Sequence, residues 1–201
     1  MRQEKMNKVR EIFERGEGFA KAAELFTNGV HMSQITYLVE SGVIQRIKKG
    51  LYMWPEFTPE VDQQYVTASK IVPKGIICLK SALSYHGLIL ETPWEIGMAV
   101  PRNYRVTLPI FPPIYMYTYN EAMYEAGAKT IKRNKSSFMV FKKEKSICDA
   151  VKFEKYIGRD VIKEAISTYL NGENKDMALL MEYSKVCGVE QKLELMVSML
   201  T

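Results

Sequence analysis

At 201 residues, with 47% apolar and 25% charged side chains, the chain has the composition of a folded protein with room for one large core or two modest ones. Its longest apolar runs fall far short of the ~20 residues a membrane span needs. Its opening stretch, Met1 to Lys5, is charged where a secretory leader would be apolar, so a cytoplasmic protein with no membrane partner is expected. The net charge of +5 is mild but unevenly spread.

In chain order, residues 1–15 predict a first helix with Met6, Val9, Ile12 and Phe13 on one face. A second short helix, apolar at Phe19, Ala22, Ala23 and Phe26, is stopped by Asn28-Gly29. A third, apolar at Ile35, Leu38 and Val39, ends at Ser41-Gly42. Val43, Gln45 and Ile47 then alternate with Ile44, Arg46 and Lys48, and Lys49-Gly50 marks a bend, which predicts a β-hairpin closing at Trp54. Helix, glycine turn, helix and basic hairpin is the order of a winged helix-turn-helix. In that arrangement the helix beginning near His31 enters the major groove. His31, Ser33, Gln34 and Tyr37 would then face base edges or phosphates, and Arg46, Lys48 and Lys49 would hold phosphate from the wing. Residues 1–57 carry nine basic and seven acidic side chains, so it is the order of elements, more than the charge, that points to DNA. A winged module used for protein contact is the alternative.

Thr58-Pro59-Glu60 carries helix-start chemistry, and the helix it opens runs through Val61, Tyr65 and Ala68 to about Ile71, ended by Pro73. A domain boundary is placed near residue 57. Beyond it, strands are predicted at 75–79, 95–100, 114–119, 129–133 and 137–142. A short helix capped by Ser81 runs to Leu88, and everything after Lys143 reads as helical, punctuated at Gly158, Asn171-Gly172 and Gly188. The expected fold class is therefore α+β: an N-terminal winged helix-turn-helix over 1–57, followed by a mixed α/β domain over 58–201 with a helical C-terminal tail.

Residues 129–145 hold seven basic side chains against Glu144 alone. Lys129, Lys132, Arg133, Lys135, Lys142 and Lys143 form a possible second basic face toward an anionic partner, nucleic acid or an acidic protein. Tyr115, Tyr117, Tyr119 and Tyr124 could make a stacking platform, but alternation on a strand favours half-buried sheet residues. Ser81, Lys80 and His86 lie close in sequence, yet Ser81 and His86 are five apart on one helix and diverge, and no nucleophile elbow accompanies them. The strand-rich part supplies too few acids for a metal-dependent nuclease, and no phosphate loop is present. Cys78, Cys148 and Cys187 are odd in number and scattered, which gives no disulfide framework, and with only His31 and His86 available no metal site is expected. No catalytic residue and no cofactor is expected.

With these pieces in order, the chain resembles the AbiEi family of antitoxins from type IV toxin–antitoxin and abortive-infection systems. The resemblance rests on Gly29-Val30, on Leu38 to Gly42 and Arg46 to Tyr52 in the first part, and on Ser81 to Leu88, Met98 to Arg102 and Glu144 to Val151 in the second. It implies an autorepressor whose winged domain binds an inverted repeat in its own promoter. It also implies a second domain that neutralises a nucleotidyltransferase-like toxin without requiring a stable complex. The competing reading is a stand-alone winged-helix regulator whose second domain senses a ligand or partner.

Overall fold

The computed structural model describes residues 3–57, 62–133 and 136–200. Thr58-Pro59-Glu60, Val61 and Lys135 lie outside these. The chain divides into two compact units, one formed by 1–72 with 106–111 and 132–137, the other by 73–105, 112–131 and 138–201. It is a mixed α+β chain with helices and a small sheet at its N-terminal end.

The first unit opens with α1 (Gln3–Arg15), which buries Val9, Ile12 and Phe13, the i, i+3, i+4 stripe of an amphipathic helix. Each such fully buried side chain contributes about 1.5–3 kcal/mol. Strand β1 (Phe19–Lys21) follows, then α2 (Ala22–Thr27), α3 (Met32–Glu40), β2 (Gln45–Lys48) and β3 (Leu51–Met53). A turn of 3-10 helix covers Pro55–Phe57, and α4 (Gln63–Ile71) ends the contiguous part.

Phe19 departs from its expected place on the second helix. Phe19, Ala20 and Lys21 pair antiparallel with Met53, Tyr52 and Leu51, making a three-stranded sheet of order β1-β3-β2. Backbone partners some 30 residues away outweigh the local helical pattern. The helix therefore starts later, and Phe26 is left 46% exposed. The turn residues behave as expected, with Gly29, Gly42 and Gly50 at φ +77°, +73° and +77°. Leu25, Ile35, Leu38, Ile44, Tyr52 and Trp54 close the core with the α1 side chains, and Trp54 meets Phe13 edge to face at 5.6 Å.

The second unit is built on a five-stranded sheet, with 132–137 counted in the first unit. Its strands are β4 (Ile76–Ile77), β5 (Ile96–Pro101), β6 (Ile114–Tyr119), β7 (Ala128–Arg133) and β8 (Ser136–Phe141), in the order β6-β5-β4-β8-β7. β4 pairs antiparallel with β5 and parallel with β8, and β5 runs parallel to β6 from Ile96↔Ile114 to Pro101↔Tyr119. The helices are α5 (Leu79–Tyr85), α6 (Glu121–Glu125), α7 (Lys143–Lys152), α8 (Glu154–Ile157), α9 (Arg159–Asn171), α10 (Met177–Cys187) and α11 (Glu190–Ser198).

Ser81 is not a cap. α5 begins at Leu79, and Ser81 Oγ accepts from the Gly97 N–H (2.9 Å) and donates to the Glu95 carbonyl (3.3 Å). α7 is buried from Glu144 to Val151 and serves as a central core helix. All three cysteines are free and buried, and burial pushes their thiols up. Inside the same core the Lys145 ammonium meets Asp149 Oδ1 at 2.5 Å, both side chains being fully enclosed, and sits 4.3 Å from the Phe141 ring centroid. Gly127, at φ +74°, passes so near that a Cβ there would lie 2.8 Å from Lys145 Cβ.

Candidate nucleic-acid interface

α3 presents one face to the core through Ile35 and Leu38 and the other outward. On the outward face His31, Met32, Ser33, Thr36, Tyr37 and Glu40 are exposed. The helix starts at His31 with extended backbone, and Gln34 Oε1 accepts from the His31 N–H at 3.0 Å, the back-bonding half of a capping box. Of the four helix residues expected to contact DNA, His31, Ser33 and Tyr37 are thus open to solvent. Gln34 is half-buried with its carbonyl oxygen committed to the cap.

The hairpin divides its three cations. Arg46 and Lys49 are exposed, Lys49 at the bend beside Gly50. Lys48, expected on phosphate, is turned inward: its ammonium donates to the carbonyls of Ile71 (2.9 Å) and Thr107 (3.3 Å). A register shift between Arg46 and Lys48 accompanies the reversal, since an irregularity of this kind re-aims the side chains that follow it. Burial, followed by the nearby charge of Lys21, lowers the Lys48 pKa. Lys21 and Lys48 flank Leu51 in register on either side of β3.

Sequence reasoning missed two groups here. Met32 and Thr36 share the outward face of α3, and its i, i+3, i+4 spacing from Ser33 and Tyr37 would have disclosed Thr36. Lys5 and Lys8, on the polar side of α1, line an open groove of about 260 Å³ with Asn28, Gly29 and Gln34 at the start of α3. Their positions in sequence gave no hint of that neighbourhood.

The basic run at 129–145 is not one cationic face. Lys129 and Lys132 are exposed. Arg133 pairs with Asp62 at 2.8 Å, Lys143 lies 5.3 Å over the Tyr169 ring, and Lys142 and Lys143 are half-buried. Lys145 is in the core, where its pairing with Asp149 four residues on removes it from any surface count.

The segment that suggested serine chemistry does not assemble it. While Ser81 binds the backbone of β5, His86 Nε2 donates to the Phe141 carbonyl at 2.7 Å, and burial lowers its pKa. Among the described residues no three His, Cys, Asp or Glu side chains are grouped so as to hold a metal, and no helix is long and apolar enough to cross a membrane. The four tyrosines grade from Tyr115, 47% exposed, to Tyr119, 1% exposed, and the Tyr124 hydroxyl donates to the Lys74 carbonyl.

No curated protein matches the chain. In fold it is similar to the RV2827C protein from Mycobacterium tuberculosis, whose crystal structure superposes with a TM-score of 0.58 at 11% identity, covering 96% of this chain and 80% of that one. Residues 7–55, which hold most of α1, the outward helix α3 and the basic hairpin, match the family described as "Transcriptional regulator, AbiEi antitoxin", consistent with the resemblance that the motifs carry.

Proposed function

We propose that this chain is a cytoplasmic DNA-binding antitoxin: its residues 1–57 act as a winged helix-turn-helix that represses its own promoter, and residues 58–201 counter a nucleotidyltransferase-like toxin. The observation that carries the DNA reading is the joint exposure of the α3 outward face and of Arg46 and Lys49 on the hairpin that follows it. A helix presenting Ser33, Thr36 and Tyr37 offers hydrogen-bonding groups of the kind that read base edges in a major groove. Two exposed cations on the adjoining hairpin offer sequence-independent phosphate contacts, and Lys5 and Lys8 beside the start of α3 extend them. The antitoxin half of the proposal rests on the family alone.

The test of the DNA half is a gel-shift titration of the full chain against a duplex carrying the inverted repeat from its own promoter and against a scrambled duplex of equal length. Tighter retardation of the promoter duplex is expected, and equal retardation of the two refutes it. Co-expression with the adjacent gene, scored by growth, tests neutralisation separately.

A further inference from the structure

At the beginning of β5 the second unit holds a small open cavity of about 70 Å³, lined by Leu79, Ser81, Trp94, Glu95, Tyr117 and Tyr156 among others. Its walls are aromatic. Trp94 is 78% and Tyr156 56% exposed, and the Tyr117 and Tyr156 rings meet edge to face with centroids 6.0 Å apart. Tyr115, 47% exposed, extends the patch at 4.7 Å from Tyr117, and Leu90, 96% exposed, immediately precedes Glu91 of the lining. Large apolar side chains this open, gathered round one cavity, mark an interaction site.

Charge decides what fits. Two carboxylates and one ammonium line the cavity. Glu91 is neutralised by Lys80 at 3.0 Å. Glu95, half-buried, has no ion-pair partner among the described residues, and its charge is felt by Tyr117, whose hydroxyl is pushed up to about 12 by burial first and by neighbouring groups that include Glu95. The ring faces of Trp94, Tyr117 and Tyr156 attract cations, as Lys155 shows at 6.0 Å over the Tyr156 ring. An aromatic box with one uncompensated carboxylate selects a cation and rejects phosphate.

Size decides what carries the cation. About 70 Å³ is well below the roughly 300–1,000 Å³ of small-molecule sites, so only the tip of a larger molecule enters. A guanidinium is flat, lies parallel on aromatic faces and pairs with a carboxylate through two fixed donors, whereas an ammonium meets a ring only as a compact point charge and has no planar fork. The exposed rings of Trp94, Tyr156 and neighbouring Tyr115 have the Trp- and Tyr-rich composition of protein contact surfaces, in which arginine is the enriched cation. We propose that this cavity is an anchor pocket for an arginine side chain of a partner protein, stacked against Trp94 and Tyr156 and paired with Glu95. The pocket is preorganised: the two Ser81 bonds fix the backbone at Glu95 and Gly97, and Gly97 leaves room where a Cβ would sit 3.1 Å from the Cys78 carbonyl oxygen. The proposal stands apart from the DNA reading.

The test uses the full chain and short peptides at fixed ionic strength, following the indole N–H resonances of Trp94 and of buried Trp54, assigned with W94F. Ac-Leu-Arg-Leu-NH2 should shift Trp94 saturably and leave Trp54 unmoved. The same peptide with citrulline in place of arginine, equal in shape but uncharged, should bind at least tenfold more weakly, and E95Q should weaken the arginine peptide by at least tenfold. N-acetyl-arginine amide, which lacks the apolar flanks, should also bind at least tenfold more weakly. Equal binding of the citrulline peptide, or no shift at Trp94, overturns the pocket. Equal binding of the bare amide overturns the protein partner. The citrulline comparison needs no altered protein and so holds whether or not E95Q folds.

Discussion

Replacing Arg46 and Lys49 together by Ala removes the two cations that the hairpin leaves exposed. If each holds one DNA phosphate, each contributes about 0.9 to the slope of log affinity against log salt, so the double variant should flatten that slope by about 1.8. Between about 50 and 200 mM salt the parent chain should therefore lose about 12-fold more affinity than the variant loses. Lys48 supplies the internal control. Its ammonium is held by the Ile71 and Thr107 carbonyls, so Lys48→Met should leave the salt slope unchanged while lowering stability by about 1–3 kcal/mol, because the charged hydrogen bonds go with it. Fluorescence anisotropy with a labelled promoter duplex over that salt range reads the slopes, and urea denaturation reads the stability. A parent slope in the Arg46/Lys49 variant would mean that the hairpin does not touch DNA. A slope flattened by about 0.9 in Lys48→Met would mean that Lys48 leaves its carbonyls for phosphate.

On α3, Ser33→Ala and Tyr37→Phe should relax sequence preference by roughly 1–3 kcal/mol for each base-edge hydrogen bond they abolish, read as the affinity ratio of promoter to scrambled duplex; an unchanged ratio puts this face away from the bases. Gln34→Ala differs because it also removes the bond to the His31 N–H, so a fall in melting temperature should accompany any weakening of binding. Reversing exposed Lys129 and Lys132 to Glu should lower operator affinity while growth rescue persists; failure of rescue with DNA binding intact would assign these lysines to neutralisation instead. Burial pushes the Asp149 carboxyl up from 3.8 to about 6, against the opposing charge of Lys145, so the folded chain keeps a proton that the unfolded chain releases. That contribution is complete below about pH 4 and is lost as pH rises through 6. The His86 contribution runs the other way, present above its ordinary 6.5 and lost as pH falls, because burial disfavours its charged form. Asp149→Asn should remove the first limb, so urea midpoints of variant and parent must diverge between about pH 4 and 6; parallel curves refute the assignment.

How much could be read in advance follows from the range of the forces involved. Gly29, Gly42 and Gly50 punctuate α2, α3 and the hairpin through purely local backbone chemistry, and all three turns were legible. β1 was not, because three residues with a helical apolar pattern become strand only through β3. Lys48 and Arg46 look alike in sequence. What separates them is a pair of carbonyls 23 and 59 residues further on. Lys145 could have been withdrawn from the basic run, since Asp149 stands one helical turn away on a helix whose neighbours are apolar. The aromatic pocket drew no notice as a unit, because Trp94, Tyr117 and Tyr156 come from three separate stretches of chain.

The first unit takes two of its pieces, 106–111 and 132–137, from far along the chain, and Lys48 completes its hydrogen bonding only on Thr107. During synthesis at about 5–20 residues per second, the first 137 residues take roughly 7–27 s to appear. Throughout that interval α3 exists on a body still missing segments, so a chain terminated early lacks part of the unit that carries this helix. If α3 reads DNA as proposed, operator occupancy would report how many chains were completed, not how many were begun.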